Sequence, residues 1–565
     1  MNNGHRHPLV WMKDFLFLAK PFWLSKQKYY AWPLLILIII LNLSIVGMSV
    51  LINNWYNGFY DSIQNYDKVA FMKSIFRLCY LAFFYILLQV LSFYLRKHLE
   101  IKWRKWANNY YISNWFKNKA YYKTKFLNNS VDNPDQRISE DINGFIVLSL
   151  DLTLGLLSEI VSLISFVIIL WKISGTFSFN LGQHKFTIHG YMVFASLLYA
   201  MVGTYFTFKI GKPLIRLNYQ EQAYEASFRY NLMRVRENNE SIAFYNGEKS
   251  EQHNLMNRFN MVANNFIFIV YRQIKIDIFK IAYSQIAIIF PFVILASKYF
   301  TKVIKLGGMM QIIQAFNKVN DACSYFINAY TSLSGWRAVM DRLIGFNQNI
   351  QETEKFLPLV VKNSGITIKV TNLNLYLPNG CMLMKDVNFE LHRGDRLLIK
   401  GCSGSGKTSL LRALAGIWPF VNGEVEQQPG IHSLFMSQKP YMPIDHLYNS
   451  ICYPLLQKLP QRSYVLSLLK QCELEYLVGK LDDIGNWSSI LSVGEQQKIA
   501  FCRLLLNQPD IVYLDEATSA LDEESESILY NLVINKLPNT VIVSVAHRSS
   551  VNKWHNKIIN LDIKK

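Results

Sequence analysis

Residues 31–52 carry hardly a polar side chain, and their middle, Leu34-Leu35-Ile36-Leu37-Ile38-Ile39-Ile40-Leu41, offers nothing that water would hold. About 20 consecutive apolar residues wound as a helix cross a hydrocarbon core, because a helix satisfies its own backbone. Similar runs cover residues 75–95, 145–173, 191–210 and 278–300. A sixth run, residues 309–330, is interrupted by Gln311, Gln314, Asn317, Lys318, Asn320 and Asp321. Polar groups in a span are expensive unless they face a bundle interior or water. The pattern therefore predicts a cavity-lining sixth span, with an amphipathic soluble helix as the alternative. Asp151 and Glu159 in the third run, and Asp277 and Lys280 at the start of the fifth, belong at the membrane rim or in a lumen.

Composition agrees with a membrane chain. Of 565 residues, 51% are hydrophobic and 14% aromatic, more apolar than a soluble chain of this length. The net charge of +19 fits either a nucleic-acid surface or the basic excess on the cytoplasmic side of membrane proteins. Its distribution decides between them. Arg96, Lys97, Lys102, Arg104, Lys105, Lys117 and Lys119 follow the second run, and Lys212, Arg216, Arg229, Arg234 and Arg236 follow the fourth. The remaining links are short and poor in basic residues. Both long basic loops, both termini and the C-terminal half are thus placed in the cytoplasm, and no nucleic-acid partner is expected. Residues 99–122 and 220–246 alternate apolar and charged side chains at near-helical spacing, so the spanning helices should continue beyond the bilayer. The seven cysteines include no Cys-x-x-Cys pair, which argues against a zinc site or a disulfide framework. The first apolar stretch is broken by Lys13, Lys20, Lys26 and Lys28 and does not read as a cleaved signal.

The C-terminal part changes character. After a polar stretch at residues 347–364 containing Pro358, short β-rich runs (365–376, 387–391, 397–399, 511–514, 541–545) alternate with helical ones. That is an α/β nucleotide-binding pattern. The expected plan is an N-terminal segment (1–30), a transmembrane domain (31–346), a linker (347–364) and a nucleotide-binding domain (365–565). Residues Gly401, Cys402, Ser403, Gly404, Ser405, Gly406, Lys407 and Thr408 spell a Walker A loop between an apolar strand and a helix that begins at Ser409. Glycines let such a loop curl its N–H groups onto phosphate oxygens, the lysine reaches the outer phosphates, and the threonine hydroxyl suits Mg²⁺. ATP and Mg²⁺ are the cofactors this implies. Ile511-Val512-Tyr513-Leu514 ends in Asp515 and Glu516, a Walker B in which Asp515 would help hold the metal and Glu516 polarise the attacking water. His547 follows the strand at 541–545, where a histidine can contact a terminal phosphate. Ser492 and Gly494 open a helical run and form an anion-binding turn.

The order of parts is Walker A, Gln438, Leu491-Ser492-Val493-Gly494-Glu495-Gln496-Gln497, Walker B, Ser519-Ala520-Leu521-Asp522, then His547. That order resembles the ATP-binding cassette family. The resemblance implies that two cassettes close head to tail around two ATPs, so a second copy of the chain is the expected partner. It places Gln438 at the metal and the attacking water, and the Ser492, Gly494 and Glu495 turn on the nucleotide of the other copy. The usual Leu-Ser-Gly-Gly-Gln is altered at Val493 and Glu495, yet the serine hydroxyl and backbone donors survive. Tyr376 is the candidate for stacking on adenine, with packing on a neighbouring strand as the equal alternative.

In the membrane half, the stretch from Asp132 to Asp141 (Asp132-Asn133-Pro134-Asp135-Gln136-Arg137-Ile138, then Asp141) resembles the peroxisomal fatty-acid transporters and bacterial half-transporters of the BacA, SbmA and YddA type. So do Tyr224 to Arg229, Arg236 to Ala243 and Trp336 to Leu343, while Leu41-Asn42-Leu43 through Asn54-Trp55-Tyr56-Asn57 and Gly494-Glu495-Gln496-Gln497 look like the bacterial branch. The resemblance implies a membrane α-helical bundle of six transmembrane helices, an exporter-type fold, fused to a C-terminal α/β P-loop cassette. It also implies a bacterial inner membrane, with coupling segments near residues 133–141 and 220–229. A bulky hydrophilic cargo such as cobalamin or peptides is expected, with lipid or fatty acyl-CoA as the alternative, and an ATP-gated channel would use the same parts. A soluble cassette protein is a reading from another class. The spans predict that the chain stays with membranes through high salt and alkaline carbonate, assayed by sedimentation; release by either would identify the N-terminal half as a soluble helical domain.

Overall fold

The computed structural model describes residues 8–561 apart from 128–132, 182–183, 355, 357–359, 362–366, 403 and 456–458. Asp132, Ser403 and most of residues 355–364 therefore lie outside the described residues. The chain divides into two compact units, Met1–Ser113 with Val131–Asn347, and Asn114–Ser130 with Gln348–Lys565.

The first unit is built from long helices: α1 (Pro8–Trp23), α2 (Lys28–Gln64), α3 (Lys68–Phe116), α4 (Ile142–Ser174), α5 (Tyr191–Glu237), α6 (Glu248–Phe300) and α7 (Leu306–Thr353). Among the described residues, five helices are long and apolar enough to cross a membrane, and α7 is not one of them. Helix α7 instead carries the polar run that begins at Gln311. A short antiparallel hairpin, β1 (Thr176–Leu181) with β2 (His184–His189), joins α4 to α5. The helices outrun their apolar segments, as the near-helical spacing predicts. Helix α7 also continues through Asn347 to Thr353, where composition suggested a linker.

Polar side chains make specific ties inside this unit. Gln311 donates from Nε2 to Asn54 Oδ1 (2.9 Å) and accepts at Oε1 from Asn57 Nδ2 (2.9 Å), while its carbonyl accepts from Asn53 Nδ2 (3.1 Å). Asp61 Oδ1 and Gln64 Oε1 of α2 accept from the N–H groups of Gly307 (2.9 Å) and Leu306 (2.8 Å), which α7 leaves without helical partners. Gln311 is thus spent on α2, and Asn320 is spent within the bundle, its Oδ1 accepting from the Tyr283 hydroxyl (2.9 Å). The buried carboxylate of Asp141 takes Arg137 Nη1 (2.7 Å) and Arg342 Nη2 (2.6 Å). Two of the sequence stretches that carry the family resemblance therefore meet in one ion-pair cluster.

The second unit contains the cassette. Strands β3 (Ile368–Tyr376), β4 (Met382–Leu391), β5 (Arg396–Lys400), β6 (Val421–Gln427), β7 (Ser433–Met436), β8 (Ile511–Asp515), β9 (Val541–Val545) and β10 (Lys557–Asn560) form its two main sheets. Helices α8 (Lys407–Leu414), α9 (Val493–Asn507) and α10 (Glu523–Lys536) accompany them. The main sheet is parallel, in the order β10-β5-β9-β8-β7. Every residue of β8 and β9 is buried, which explains why both read as continuous apolar runs rather than alternating ones. The smaller sheet is ordered Val360–Val361, β6, β3, β4.

Residues Asn114–Ser130 belong to this unit although they follow the second span. Phe126 sets its ring edge-on against Trp418 (5.3 Å) and Phe420 (5.6 Å), and Lys117 Nζ lies 3.8 Å from Glu354 Oε1. The stretch at 133–141 belongs to the first unit, and the segment gathered with the cassette precedes it. In the membrane unit, an added Cβ at Gly307 would stand 2.0 Å from Asn57 O. Gly307→Ala should therefore push α7 off α2 and cost about 1–3 kcal/mol, seen as a lower Tm of the purified protein in detergent.

Candidate nucleotide site

Parallel register lines up the functional loops. Asp515 of β8 pairs with Val545 of β9, Val545 pairs with Ile399 of β5, and Leu514 pairs with Met436 of β7. One C-terminal sheet edge therefore presents, in spatial order, the loop from Gly401, then His547, then Asp515 with Glu516, then Gln438. Ligands of open parallel sheets bind at that edge because every strand delivers its next residue there.

The loop itself is held by backbone geometry. Gly406 has φ 85° and precedes the first turn of α8, which contains Lys407, Thr408 and Ser409. An added Cβ at Gly406 would lie 2.5 Å from Leu383 Cδ2. Gly401 and Gly404 also adopt positive φ, so the chain curls between Gly401 and Gly406 with Cys402 and Ser405 on the curve. The Lys407 ammonium is buried and donates to Gly401 O (2.8 Å) and Cys402 O (2.9 Å), which completes a closed turn. Ser405 Oγ is buried and has no hydrogen-bond partner among the described residues.

Thr408 Oγ1 donates to Asp515 Oδ1 (2.9 Å). Burial pushes the Asp515 carboxyl above the usual carboxylate range, and the Thr408 hydrogen bond and Arg412 oppose that shift. Two hard oxygens so placed suit a small divalent cation that also keeps phosphate and water ligands. Glu516 takes φ 50°, and its N–H donates to Val545 O (3.0 Å). His547 Nε2 stands 3.2 Å from Glu516 Oε1, so the Walker B glutamate and the histidine after β9 are direct neighbours. Gln438 is exposed at the same edge.

Ser492 is the N-cap of α9. Its hydroxyl accepts from Glu495 N (3.3 Å), while Glu495 Oε2 accepts from Ser492 N (2.7 Å) and Ser492 Oγ (2.8 Å). This is a capping box, and the hydroxyl of Tyr476 also donates to Glu495. Gly494 is needed for close approach, since a Cβ there would lie 3.0 Å from Ala520 O. Tyr376 is anchored through its main chain: its N–H donates to Phe420 O (2.9 Å) and its carbonyl accepts from Trp418 Nε1 (3.1 Å). Its ring is half-buried at the end of β3.

Two buried residues of α9 went unassigned by the motif reading. Gln497 joins Gln438 to the Ser519 turn. Arg503, its guanidinium pushed down to about 10 by burial, donates to Ser450 O (2.6 Å) and Tyr441 O (2.7 Å). The available signal was their place, with Gln496, on the inner face of a helix whose other buried side chains are apolar.

Residues 19–300 match the family described as ABC transporter transmembrane region 2, and residues 384–519 match the family described as ABC transporter. The inner membrane ABC transporter ATP-binding protein YddA of Escherichia coli is 34% identical to the chain over 539 residues, covering 95% of each. The chain belongs to the ABC transporters. Its likeness extends to the human lysosomal cobalamin transporter ABCD4, 26% identical over 605 residues, 98% of this chain and 95% of that protein. A solved bacterial Atm1-family ABC exporter with ATP bound shares the fold, with a TM-score of 0.73 over 94% of both chains at 14% identity. The transporter is thus a multi-pass helical membrane protein of exporter-type fold whose cassette binds ATP and hydrolyses it to drive transport. Gly406→Ala should strain the loop by about 1–3 kcal/mol and weaken binding of a fluorescent ATP analogue at least tenfold.

Proposed function

We propose that two copies of the chain form an ATP-driven transporter in a bacterial inner membrane, with both cassettes in the cytoplasm. Each chain carries one phosphate loop and one Ser492 turn, which is half of a head-to-tail pair of sites. The Ser492 turn of one copy would cap the terminal phosphate held by Lys407 of the other. The observation that carries the catalytic reading is the common sheet edge on which Lys407, Asp515, Glu516, His547 and Gln438 converge. There Thr408 and Asp515, with Gln438, would hold Mg²⁺. Glu516 would accept the proton of the attacking water, and His547, 3.2 Å from it, would fix its carboxylate and reach the terminal phosphate. The backbone N–H groups of residues 401–406 would cradle the phosphates with Ser405 Oγ, and Tyr376 would stack on the adenine.

A bulky hydrophilic cargo is favoured. The human relative is a lysosomal cobalamin transporter, and α7 carries Gln314, Asn317, Lys318 and Asp321 in addition to Gln311. The name of the Escherichia coli relative and the basic loops support an inner-membrane location with inside-facing cassettes. In lipid vesicles, cobalamin or peptides should stimulate ATP hydrolysis, and stimulation by acyl-CoA alone would favour lipid cargo. Glu516→Gln should reduce phosphate release by about 10²- to 10⁴-fold while ATP still drives dimer formation, measured by light scattering. Undiminished release would remove Glu516 from the role.

A further inference from the structure

Gln497 has no part in the hydrolysis scheme, yet its amide is held at both the nitrogen and the oxygen. It is completely buried on α9. Its Nε2 donates to Gln438 O (2.8 Å) and to Ser519 Oγ (3.3 Å), and its Oε1 accepts from Ala520 N (3.1 Å). The orientation of the amide is fixed by chemistry. A carbonyl only accepts and a backbone N–H only donates, so a flipped amide would set oxygen against oxygen and N–H against N–H. One buried side chain thereby pins two loops that are distant in sequence, one carrying Gln438 and one leaving Glu516.

The second loop is gripped from its other side as well. Arg548, next to His547, donates from Nη1 to Leu521 O (2.6 Å) and from Nη2 to Ser519 O (3.3 Å). The Ser519-Ala520-Leu521 turn thus lies between a hand from α9 and a hand from the His547 loop.

We propose that Gln497 is a positioning residue for ATP hydrolysis: by holding the Gln438 carbonyl and the Ser519–Ala520 turn together, it sets where the Gln438 side chain meets metal and water relative to Glu516. This rests on the role proposed for Gln438. The expected signature is a kcat effect, since the groups Gln497 touches would act on water and metal, while ATP is held chiefly by the 401–408 loop.

The test uses the full-length transporter in lipid vesicles, with Q497L, Q438A and the double variant assayed for ATP turnover against ATP and against Mg²⁺. Q497L should lower kcat about tenfold, leave the KM for ATP within about twofold, and raise the Mg²⁺ concentration needed for half-maximal rate. The double variant should be no slower than Q438A alone, because both changes act through one group. Wild-type kcat and Mg²⁺ dependence in Q497L would overturn the proposal, and so would multiplying defects in the double variant, which mark a merely structural role. If Q497L does not fold, Q497E, which keeps the shape and the acceptor for Ala520 N–H but loses both donors, takes its place in the same cycle. A Q438A variant with wild-type turnover would instead defeat the role given to Gln438, a failure separable from that of Gln497.

Discussion

The Thr408–Asp515 hydrogen bond is the joint on which the cassette turns. It ties the first turn of α8 to the end of β8, a strand buried along its whole length. Asp515 is there because β8 sits inside the parallel sheet, and the same burial raises the free energy of its ionised form. A carboxylate in that position is costly until a cation joins it. The strands on either side convert this local tension into geometry, because their register delivers Glu516, His547 and Gln438 to the same edge. Move β8 by one residue and Asp515 would trade places with Leu514, which no change in the loops could repair.

Much of this was readable in the residues. The glycines between Gly401 and Gly406 announce a curled backbone, the apolar runs at 511–514 and 541–545 announce buried strands, and the carboxylates at 515 and 516 mark where one strand ends. What was not readable depends on pairs far apart in the chain. Gln497 lies 59 residues from Gln438 and 23 from Ala520, and nothing in an amide side chain at one position names those partners. Glu495 shows the opposite limit. As a letter it is a departure from a familiar signature, and in the fold it is half of a capping box that secures Ser492.

The membrane unit teaches the same lesson in a drier setting. A run of polar residues in α7 marks a helix with something to do, but the letters do not say which residues serve the fold. Gln311 faces Asn53, Asn54 and Asn57, and those bonds are valuable because the alternative partners in hydrocarbon are few. The helix cap that α2 lends to α7 through Asp61 and Gln64 follows the same economy. Boundaries were harder to read, since α7 passes Asn347 with a mixed polar composition that a solvated helix and a linker share.

Phe126 bears on how this protein can be cut. The cassette is not one continuous stretch of chain, because Asn114–Ser130 is part of it and supplies the ring that covers Trp418 and Phe420. A fragment begun at residue 348 would keep every group of the hydrolytic machinery and the contacts of Phe420 with Phe356 and Trp418, yet it would lose the Phe126 ring and open part of that aromatic cluster to solvent. Excision at the obvious boundary therefore removes one ring of that cluster, and a fragment that keeps the cluster closed carries the Phe126 segment with it.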